Sequence, residues 1–427
     1  MGYAESIINF IFEIRKIVMN MNLSNIFTTT FRVAILGFVA FVLVQCKNGI
    51  DTTRAIPVID IEKGLNKGGT VKLSELCSSL EYIPLQTEAN SIIGSWPKLQ
   101  TSGDLFYITY IYSDNCMVFD SDGLFRNTIG RKGNAKGEYT YINDLNIEED
   151  RSNIALRDFK KIVIYNSEGL FIKEIPLDQM NEDGYSIQNL VYMEEGKYWG
   201  TKFQGKNYSE VISVIDNSGE VLHSQHLGKR ITQTNIIEID GKMTPVKDSR
   251  PPYIYRFENS VRYLSANNDT IFSFSEELVK NPTFIIDLGS YKSKLENTAG
   301  DASAVKVIES SFQENRDYIF FRVIAPLDLF PHVKAGTRFG YTLYDKTKGE
   351  VRTLSYESAL NITGLTNDID NGMPFWPNLV TRNKMYQIVD ALTFINMSEN
   401  TSSGKMKEIA STLTENSNPV LVVATFK

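Results

Sequence analysis

Short runs of alternating or clustered apolar and β-branched residues dominate the chain after Asn48. They include LFYITY (105–110), KIVIYN (161–166), EVISVID (210–216) and TIFSF (270–274). Each run has the length of a β-strand and is followed by residues that favour turns. This pattern predicts an almost entirely β structure.

Four of the turns resemble one another. They are VFDSDGLF (118–125), IYNSEGLF (164–171), VIDNSGEV (214–221) and LYDKTKGEV (343–351). Each places Asp or Asn after an apolar strand end, then a Gly, then another strand. The Asp or Asn side chain can cap its own backbone and Gly accepts a positive φ, so these segments are predicted to be tight hairpins.

The turns recur with the period of a propeller blade. Gly123 and Gly169 are 46 residues apart, and Gly169 and Gly219 are 50 apart. A glycine-free variant, ANNDTIF (266–272), follows after about another 50 residues, and Gly349 comes later. An irregular β-sandwich is the alternative, but similar turns near one period favour stacked units of four strands.

The resulting prediction is an all-β, six-bladed β-propeller over residues 56–427. The turns assigned to blades one to five are those near Gly123, Gly169, Gly219, Asn268 and Gly349. Two short helical insertions decorate it, according to the spacing of their apolar residues. ASAVKVIESSF aligns Val305, Ile308 and Phe312, and KMKEIASTL aligns Met406, Ile409, Ala410 and Leu413.

The sixth blade is expected to join the two ends of the chain. It combines KMYQIVDA (384–391) and VLVVATFK (420–427) with an N-terminal strand from either IPVID (56–60) or LEYIPL (80–85). Pairing of the N- and C-terminal strands closes the ring, which would otherwise expose two strand edges with unpaired backbone groups.

The N-terminus resembles an export signal. Arg32 precedes a run of twelve apolar residues, Val33 to Val44, which is too short to span a hydrocarbon core needing about 20 residues. It fits the apolar region of a signal peptide. The run ends in LVQC (43–46), which resembles a bacterial lipobox and makes Cys46 the proposed lipidation site.

The predicted division of the chain follows from that signal. Residues 1–45 form the signal peptide, with Met19 or Met21 as a possible true start, and residues 46–55 form a lipid-anchored linker. An ordinary signal peptide with an incidental Cys is the alternative. Lys47 and Asn48 give no acidic tract after Cys46, which favours the periplasmic face of the outer membrane over the cell surface.

Composition excludes several classes of protein. The 427 residues include 44 Lys plus Arg and 51 Asp plus Glu, a net charge of −7 that argues against nucleic-acid binding. A hydrophobic fraction of 42% excludes a disordered chain. Three His and three Cys limit zinc sites and Cys/His catalysis. Cys77 and Cys116 are expected to be buried and free.

One candidate ligand site is the Gly-rich basic loop GRKGNAKGEY (130–139). Arg131 and Lys132, near Glu138 and Tyr139, suggest binding of an anionic group. The loop lacks the Lys-Ser/Thr ending of a nucleotide-binding P-loop. A purely structural loop between two blades is the competing interpretation.

A second candidate is NDIDNGMPFWP (367–377). Asp368 and Asp370 offer carboxylates for Ca²⁺, and Trp376 offers a ring that can stack on a sugar. The terminal Glu of an EF-hand-type ligand set is absent, and a structural loop with a buried Trp is the alternative. No catalytic residue, metal ligand or cofactor site is predicted.

These segments carry a family resemblance. FDSDGLFRNTIGRKGNAKGEY (119–139), IYNSEGLF (164–171), NDIDNGMPFWP and NPVLVVATFK (418–427) resemble the six-bladed, NHL-like or TolB-like propeller lipoproteins of Gram-negative anaerobes. The resemblance spans nearly all of the chain after Cys46. It implies the propeller fold and an envelope location, and it transfers no catalytic residue.

Three functions follow from the sequence. The favoured one is a non-catalytic lipoprotein of the cell envelope that binds a glycan, a peptide or a partner envelope protein through its loops. The second is a carbohydrate-active lyase or hydrolase with its site in the central cavity. The third is a structural subunit that bridges neighbours in an envelope complex.

Overall fold

The computed structural model describes most of the chain after Arg54. The described residues are 55–67, 69–110, 115–149, 152–177, 187, 189–204, 209–229, 233–239, 242–248, 252–265, 269–293, 304–325, 339–354 and 363–427. The predicted signal peptide, Cys46 and Asn268 lie outside them. Within these ranges no helix has the length and apolar character that a membrane span requires.

The first three blades are four-stranded antiparallel sheets formed in chain order. Blade 1 comprises β3 (Lys98–Ser102), β4 (Leu105–Thr109), β5 (Cys116–Asp120) and β6 (Phe125–Ile129). Blade 2 comprises β7 (Asp144–Glu148), β8 (Asn153–Arg157), β9 (Lys161–Asn166) and β10 (Phe171–Pro176). Blade 3 comprises β11 (Asn189–Tyr192), β12 (Tyr198–Gln204), β13 (Ser209–Ile215) and β14 (Val221–Lys229). A separate hairpin of β15 (Gln233–Ile239) and β16 (Lys242–Asp248) follows.

The last three blades include elements from both ends of the chain. Blade 4 comprises β17 (Tyr253–Phe257), β18 (Ser260–Leu264), β19 (Thr270–Phe274) and β20 (Lys280–Asp287), followed by a 3₁₀ turn (Gly289–Tyr291). Blade 5 comprises β21 (Lys306–Glu314), β22 (Tyr318–Ile324), β23 (Phe339–Asp345) and β24 (Glu350–Leu354). Blade 6 comprises β25 (Leu379–Val380), β26 (Lys384–Val389), β27 (Val420–Phe426) and β2 (Cys77–Pro84).

The ring is closed by the predicted pairing of the two chain ends. β2 pairs antiparallel with β27, with Leu80 opposite Ala424, so LEYIPL is the closing strand. IPVID instead supplies β1 (Val58–Asp60), which pairs in parallel with β20 at the outer edge of blade 4. The all-β, six-bladed propeller is therefore confirmed.

Between β1 and β2 the chain passes along blade 5 towards blade 6. Helix α1 (Ile61–Lys67) packs on β24, and a Cβ at Gly64 would lie 2.5 Å from a methyl carbon of Val351. Helix α2 (Leu73–Leu76) then leads directly into β2. The segment from β1 to β2 therefore joins blades 4, 5 and 6 into one unit.

The core is divided into six apolar clusters, one between each pair of neighbouring blades. The two-residue period of a strand explains this arrangement. In β9, Ile162 and Ile164 pack against blade 3, while Val163 and Tyr165 pack against blade 1. Because both faces of each sheet are buried, the strands read as apolar runs rather than strict alternations.

The four similar turns have the predicted chemistry. Their glycines, Gly123, Gly169, Gly219 and Gly349, all have positive φ, between 65° and 90°. In the first turn the Asp120 carboxylate accepts hydrogen bonds from the N–H groups of Asp122 and Leu124, at 3.0 and 2.9 Å. All four turns join the third and fourth strands of their blades, which confirms that they are equivalent units.

The fourth blade corrects the prediction for ANNDTIF. That segment leads into β19, and the equivalent hairpin is Ser275–Val279. The Leu278 N–H donates to the Ser275 carbonyl at 3.0 Å, as Gly123 does to Asp120 at 2.9 Å. Leu278 has φ +58° and occupies the glycine position. Its buried side chain packs between blades 3 and 4, and burial offsets the backbone strain.

One predicted helix is wrong and the other is confirmed. Val305, Ile308 and Phe312 lie in or beside strand β21 rather than on a helix, and a register shift between Ile308 and Gln313 produces their irregular spacing. The second helix exists as α4 (Gly404–Ala410), with Met406 and Ala410 buried. A further helix, α3 (Ala391–Glu399), also lies between β26 and β27.

The two rims of the propeller differ. Because strands alternate in direction, hairpins joining the first to the second and the third to the fourth strands share one rim, the turn face. Connections between second and third strands, and from one blade to the next, share the opposite rim, the loop face. The turn face carries tight turns, whereas the loop face carries the long connections and both helices of blade 6. The first strands of neighbouring blades contact one another around the axis.

Candidate functional site

The basic loop 130–139 joins blade 1 to blade 2 on the loop face. Glu138 organises it, because its carboxylate accepts from the Ala135 N–H at 2.9 Å and from the Arg131 guanidinium at 2.5 Å. These two donors stabilise the charged carboxylate, so the pKa of Glu138 is lowered. Glu138 thus links two other residues of its own loop.

Tyr139 fixes the same loop to the core. Its ring is fully buried in the cluster between blades 1 and 2, and its hydroxyl donates to the Ile129 carbonyl at 3.3 Å. The Tyr165 hydroxyl donates to the Gly137 carbonyl at 2.8 Å. Tyr139 is therefore an anchor of the loop and does not reach its surface.

The cations of this loop lie at the surface. Arg131 has 78% of its side chain exposed, and Lys132 and Lys136 are also exposed. Arg131 and Lys132, held on a loop braced by Glu138 and Tyr139, form the part of the predicted site that can meet a ligand. Binding of an anion by these residues stays a prediction.

The second predicted site, 367–377, lies between β24 and β25 and is hydrogen-bonded to helix α2 and to Ser403, which precedes helix α4. Asp368 accepts from the Ser74 N–H at 2.9 Å and the Ser74 hydroxyl at 2.6 Å. Asp370 accepts from the Ser403 hydroxyl at 2.5 Å and the Asn367 amide at 2.7 Å. The two carboxylates thus bind different partners, and the described part of the chain contains no cluster of three or more His, Cys, Asp or Glu arranged to hold a metal.

Trp376, in the same segment, belongs to the core between blades 5 and 6. Its ring meets Phe320 and Tyr341 edge to face, with centroid distances of 5.7 and 5.0 Å. Only 9% of the residue is exposed. The ring therefore presents no open face for stacking a sugar, and this arrangement matches the structural alternative considered for the segment.

A tryptophan outside both predicted sites lies at the surface of the loop face. Trp96 is 73% exposed, has φ +53° and precedes Pro97. It lies on the connection from blade 6 to blade 1, two residues before β3. A positive φ is unusual for a bulky residue, and the position before proline restricts the backbone further.

The loop that carries Trp96 is rigidly supported. The buried Asn418 amide donates to the carbonyls of Gln86 and Ser91, both at 2.7 Å, and its oxygen accepts from the Ile93 N–H at 2.9 Å. A Cβ at Gly94 would lie 2.5 Å from the Tyr110 ring. A larger residue at position 94 would therefore require the Tyr110 ring to move.

A pair of stacked aromatic rings lies beside the basic loop. Tyr141 and Phe159 are stacked, with ring centroids 5.6 Å apart and planes 21° from parallel. Phe159 is 53% exposed. The Thr140 N–H and hydroxyl donate to the buried Asp158 carboxylate, with distances of 2.8–2.9 Å, so this hydrogen bonding fixes the two segments that carry the rings.

Comparison with known proteins identifies a matching family and solved structures with a similar fold. A model of the family described as a domain of unknown function, DUF4934, matches residues 56–425. A "Putative exported protein" from Bacteroides fragilis has a similar structure, with a TM-score of 0.60 and 16% identity over 84% of this chain and 98% of that one. At this identity the likeness shows the fold alone.

Two further solved structures are less similar. A DUF4221 member from Bacteroides vulgatus gives a TM-score of 0.48 and 11% identity over 84% of this chain and 98% of that one. Virginiamycin B lyase from Staphylococcus aureus gives 0.35 and 13% over 66% and 76%. Neither score supports an inference about function. None of the curated proteins compared with the chain matches it in sequence.

Proposed function

This chain belongs to the DUF4934 family, and we propose that it is a non-catalytic binding protein of the bacterial cell envelope, with its ligand site on the loop face. The observation that carries the proposal is the asymmetry between the rims. Tight hairpins occupy the turn face, while braced loops with exposed cations and aromatic rings occupy the loop face. Loops on a rigid scaffold are where binding residues concentrate.

The basic loop supports this proposal through its preorganisation. Glu138 and Tyr139 hold the backbone, while Arg131 remains at the surface. A loop that is ordered before binding loses little conformational entropy when a ligand arrives. The expected ligands are a glycan, a peptide or a partner envelope protein.

The carbohydrate-active alternative is not favoured. Catalysis of this kind needs a pair of carboxylates open to the substrate, whereas several buried glutamates of this propeller link neighbouring blades. Glu148 accepts from the Tyr198 hydroxyl, and Glu210 accepts from the Tyr263 hydroxyl, in each case across a blade boundary. Product analysis after incubation with polysaccharides tests the alternative directly.

The structural-subunit alternative predicts a different result. A bridging subunit forms a stable complex with a neighbouring protein and takes no small ligand. The exposed Arg131 and the exposed Trp96 supply charge and apolar area for recognition in either role, so the binding screen separates the two, because only the binding protein takes a small ligand.

The proposed location is the periplasmic face of the outer membrane. It depends on the apolar run 33–44 and on Cys46 as the lipidated residue. The "Putative exported protein" from Bacteroides fragilis has a similar fold, which agrees with a location outside the cytoplasm.

A binding screen tests the proposed function. The purified full chain is screened against glycan and peptide libraries and used as bait for envelope extracts. The double substitution Arg131→Ala with Lys132→Ala is expected to weaken binding at least tenfold. A matched pair on the turn face, Arg126→Ala with Lys348→Ala, is expected to leave it unchanged. No binder in any screen, or equal losses for both pairs, would contradict the proposal.

A further inference from the structure

We propose that Trp96, Tyr141 and Phe159 form an aromatic platform that binds an acidic oligosaccharide on the loop face. The platform supplies stacking surfaces, and the neighbouring basic loop meets the carboxylates of the sugar chain. This inference rests on the proposed binding function and names the class of ligand.

The exposure of Trp96 is the first observation. Burial of an indole contributes substantial free energy, yet Trp96 is 73% exposed while the other two tryptophans, Trp199 and Trp376, are 2% and 9% exposed. Its left-handed backbone costs about 1–3 kcal/mol. Asn418 and Gly94 hold this loop in place, so an outward-pointing ring is built into the fold.

The stacked pair is the second observation. Phe159 lies at the tip between the second and third strands of blade 2, and Tyr141 supports one face of its ring. Exposed aromatic side chains are ordinarily mobile. Here the stacking contact and the hydrogen bonds from Thr140 to Asp158 fix the pair before any ligand binds.

The topology brings these rings to one part of the loop face. Trp96 precedes β3 by two residues, and Tyr141 precedes β7 by three. β3 and β7 are contacting first strands of neighbouring blades, and sheets packed face to face lie about 10 Å apart. The rings therefore lie on adjacent blades, and a ligand that contacts all three has to be an extended chain rather than one small ring.

The local charge selects an acidic ligand. The segments 130–143 and 158–160 contain four cationic residues, Arg131, Lys132, Lys136 and Lys160, and two carboxylates, Glu138 and Asp158. Glu138 accepts a hydrogen bond from Ala135 in its own loop, and Asp158 accepts from Thr140 in the neighbouring loop. The chain as a whole has a charge of −7, so this positive patch is local and does not suit a long phosphate polymer.

A pyranose ring fits the platform because one face presents C–H groups to an aromatic ring while its hydroxyls stay in water. A uronic acid adds a carboxylate that can pair with a guanidinium. The ligand class is therefore an oligosaccharide that contains uronic acids.

Tryptophan fluorescence tests the inference, because Trp96 is the exposed member of the three tryptophans. The purified full chain is titrated with hexagalacturonate, with a neutral cello-hexaose of equal length and with oligothymidylate. Hexagalacturonate is expected to shift the emission and to protect Trp96 from acrylamide quenching. Trp96→Ala and Tyr141→Ala are expected to weaken its binding at least tenfold, measured by calorimetry, whereas Leu222→Ala, at an exposed apolar residue beside the turn-face hairpin of blade 3, leaves it unchanged.

Other outcomes overturn the inference in distinguishable ways. Equal binding of the neutral hexaose contradicts the acidic selection, and binding of oligothymidylate contradicts the sugar class. Hexagalacturonate binding that survives Trp96→Ala contradicts the platform. Binding of peptides but no sugar contradicts the inference while leaving the proposed binding function intact, and the absence of any binder contradicts both.

Discussion

Gly219, in the hairpin of blade 3, lies directly against the carbonyl oxygen of Pro176 in the outer strand of blade 2. A Cβ at Gly219 would approach that oxygen to less than 3.0 Å. Gly169 has the same relationship to Thr128 of blade 1, where the distance would be 2.7 Å. The turn glycines therefore permit both the hairpin and the close packing of each blade on the one before it.

The first prediction compares two glycines that share a positive φ. Gly219→Ala places a methyl group against backbone and is expected to lower the free energy of unfolding by about 3 kcal/mol. Gly349→Ala meets no atom within 4 Å, so only the backbone cost of about 1 kcal/mol applies. Urea denaturation followed by circular dichroism measures both, and equal losses would show that packing between blades is not involved.

The second prediction concerns the buried ion cluster between blades 4 and 5. Glu314 is fully buried and accepts from Arg262 at 3.0 Å, Lys346 at 2.6 Å and the Tyr255 hydroxyl at 2.7 Å. Glu314→Gln leaves two largely buried cations without a counter-charge and is expected to cost about 3–5 kcal/mol.

A surface ion pair serves as the control for this cluster. Glu194 and Arg256 are 3.2 Å apart, with 51% and 28% of their side chains exposed. Glu194→Gln is expected to cost less than about 1 kcal/mol. A loss from Glu314→Gln no larger than that of the control would contradict the role assigned to the buried cluster.

The third prediction concerns thiol reactivity and pH. Cys77 and Cys116 are buried and unbonded, and burial raises the pKa of Cys77 to about 12 and that of Cys116 as well. A raised pKa means that the folded state keeps the proton while the unfolded thiol ionises near pH 8.5. The contribution of the two buried thiols to the free energy of unfolding is therefore present below pH 8.5 and is lost as the pH rises towards 12.

Labelling with a thiol reagent at pH 9 measures this difference. Neither Cys77 nor Cys116 is expected to react in the folded protein, and both are expected to react in denaturant. Cys77→Ala should reduce the loss of stability between pH 9 and 12. Rapid labelling of either residue in the folded protein would contradict the assigned burial.

The fourth prediction concerns the anchor. Cys46→Ser removes the proposed lipidation site and is expected to move the protein from the membrane fraction to the soluble fraction of the envelope. Cys77→Ala keeps the anchor and should leave the protein in the membrane fraction. Immunoblotting of fractionated cells measures both, and membrane retention of the Cys46→Ser protein would contradict lipid anchoring.

The sequence predicted the fold correctly where the identity of a residue is determined by its local backbone conformation. The hairpin glycines indicated the position of each blade, because a fixed position in each turn has a positive φ that favours glycine. The hairpin of blade 4 was not recognised, because Leu278 takes the place of the glycine. Its backbone strain is offset by burial of its side chain between blades 3 and 4, which sequence does not show. The irregular register of β21 likewise gave Val305, Ile308 and Phe312 a helix-like spacing within a strand region.

The candidate site was less accessible from sequence. The basic loop was recognised by composition, but Tyr139 and Trp376 proved to be core residues, because sequence does not show which side of a loop a ring occupies. Trp96 was missed, although a tryptophan between small residues and a proline, in GSWP, is a usable signal. The placement of Trp96 and Tyr141 on adjacent blades follows from the topology of the propeller, which no local sequence pattern shows.

Photocrosslinking in cells tests most directly whether the loop face is where this protein meets its ligand. A photoreactive residue, p-benzoylphenylalanine, is placed at the exposed position Asn134 on the loop face or at the exposed position Ser121 on the turn face. A discrete adduct is expected from position 134 and none from position 121. Adducts formed from position 121 with none from position 134 would contradict this expectation.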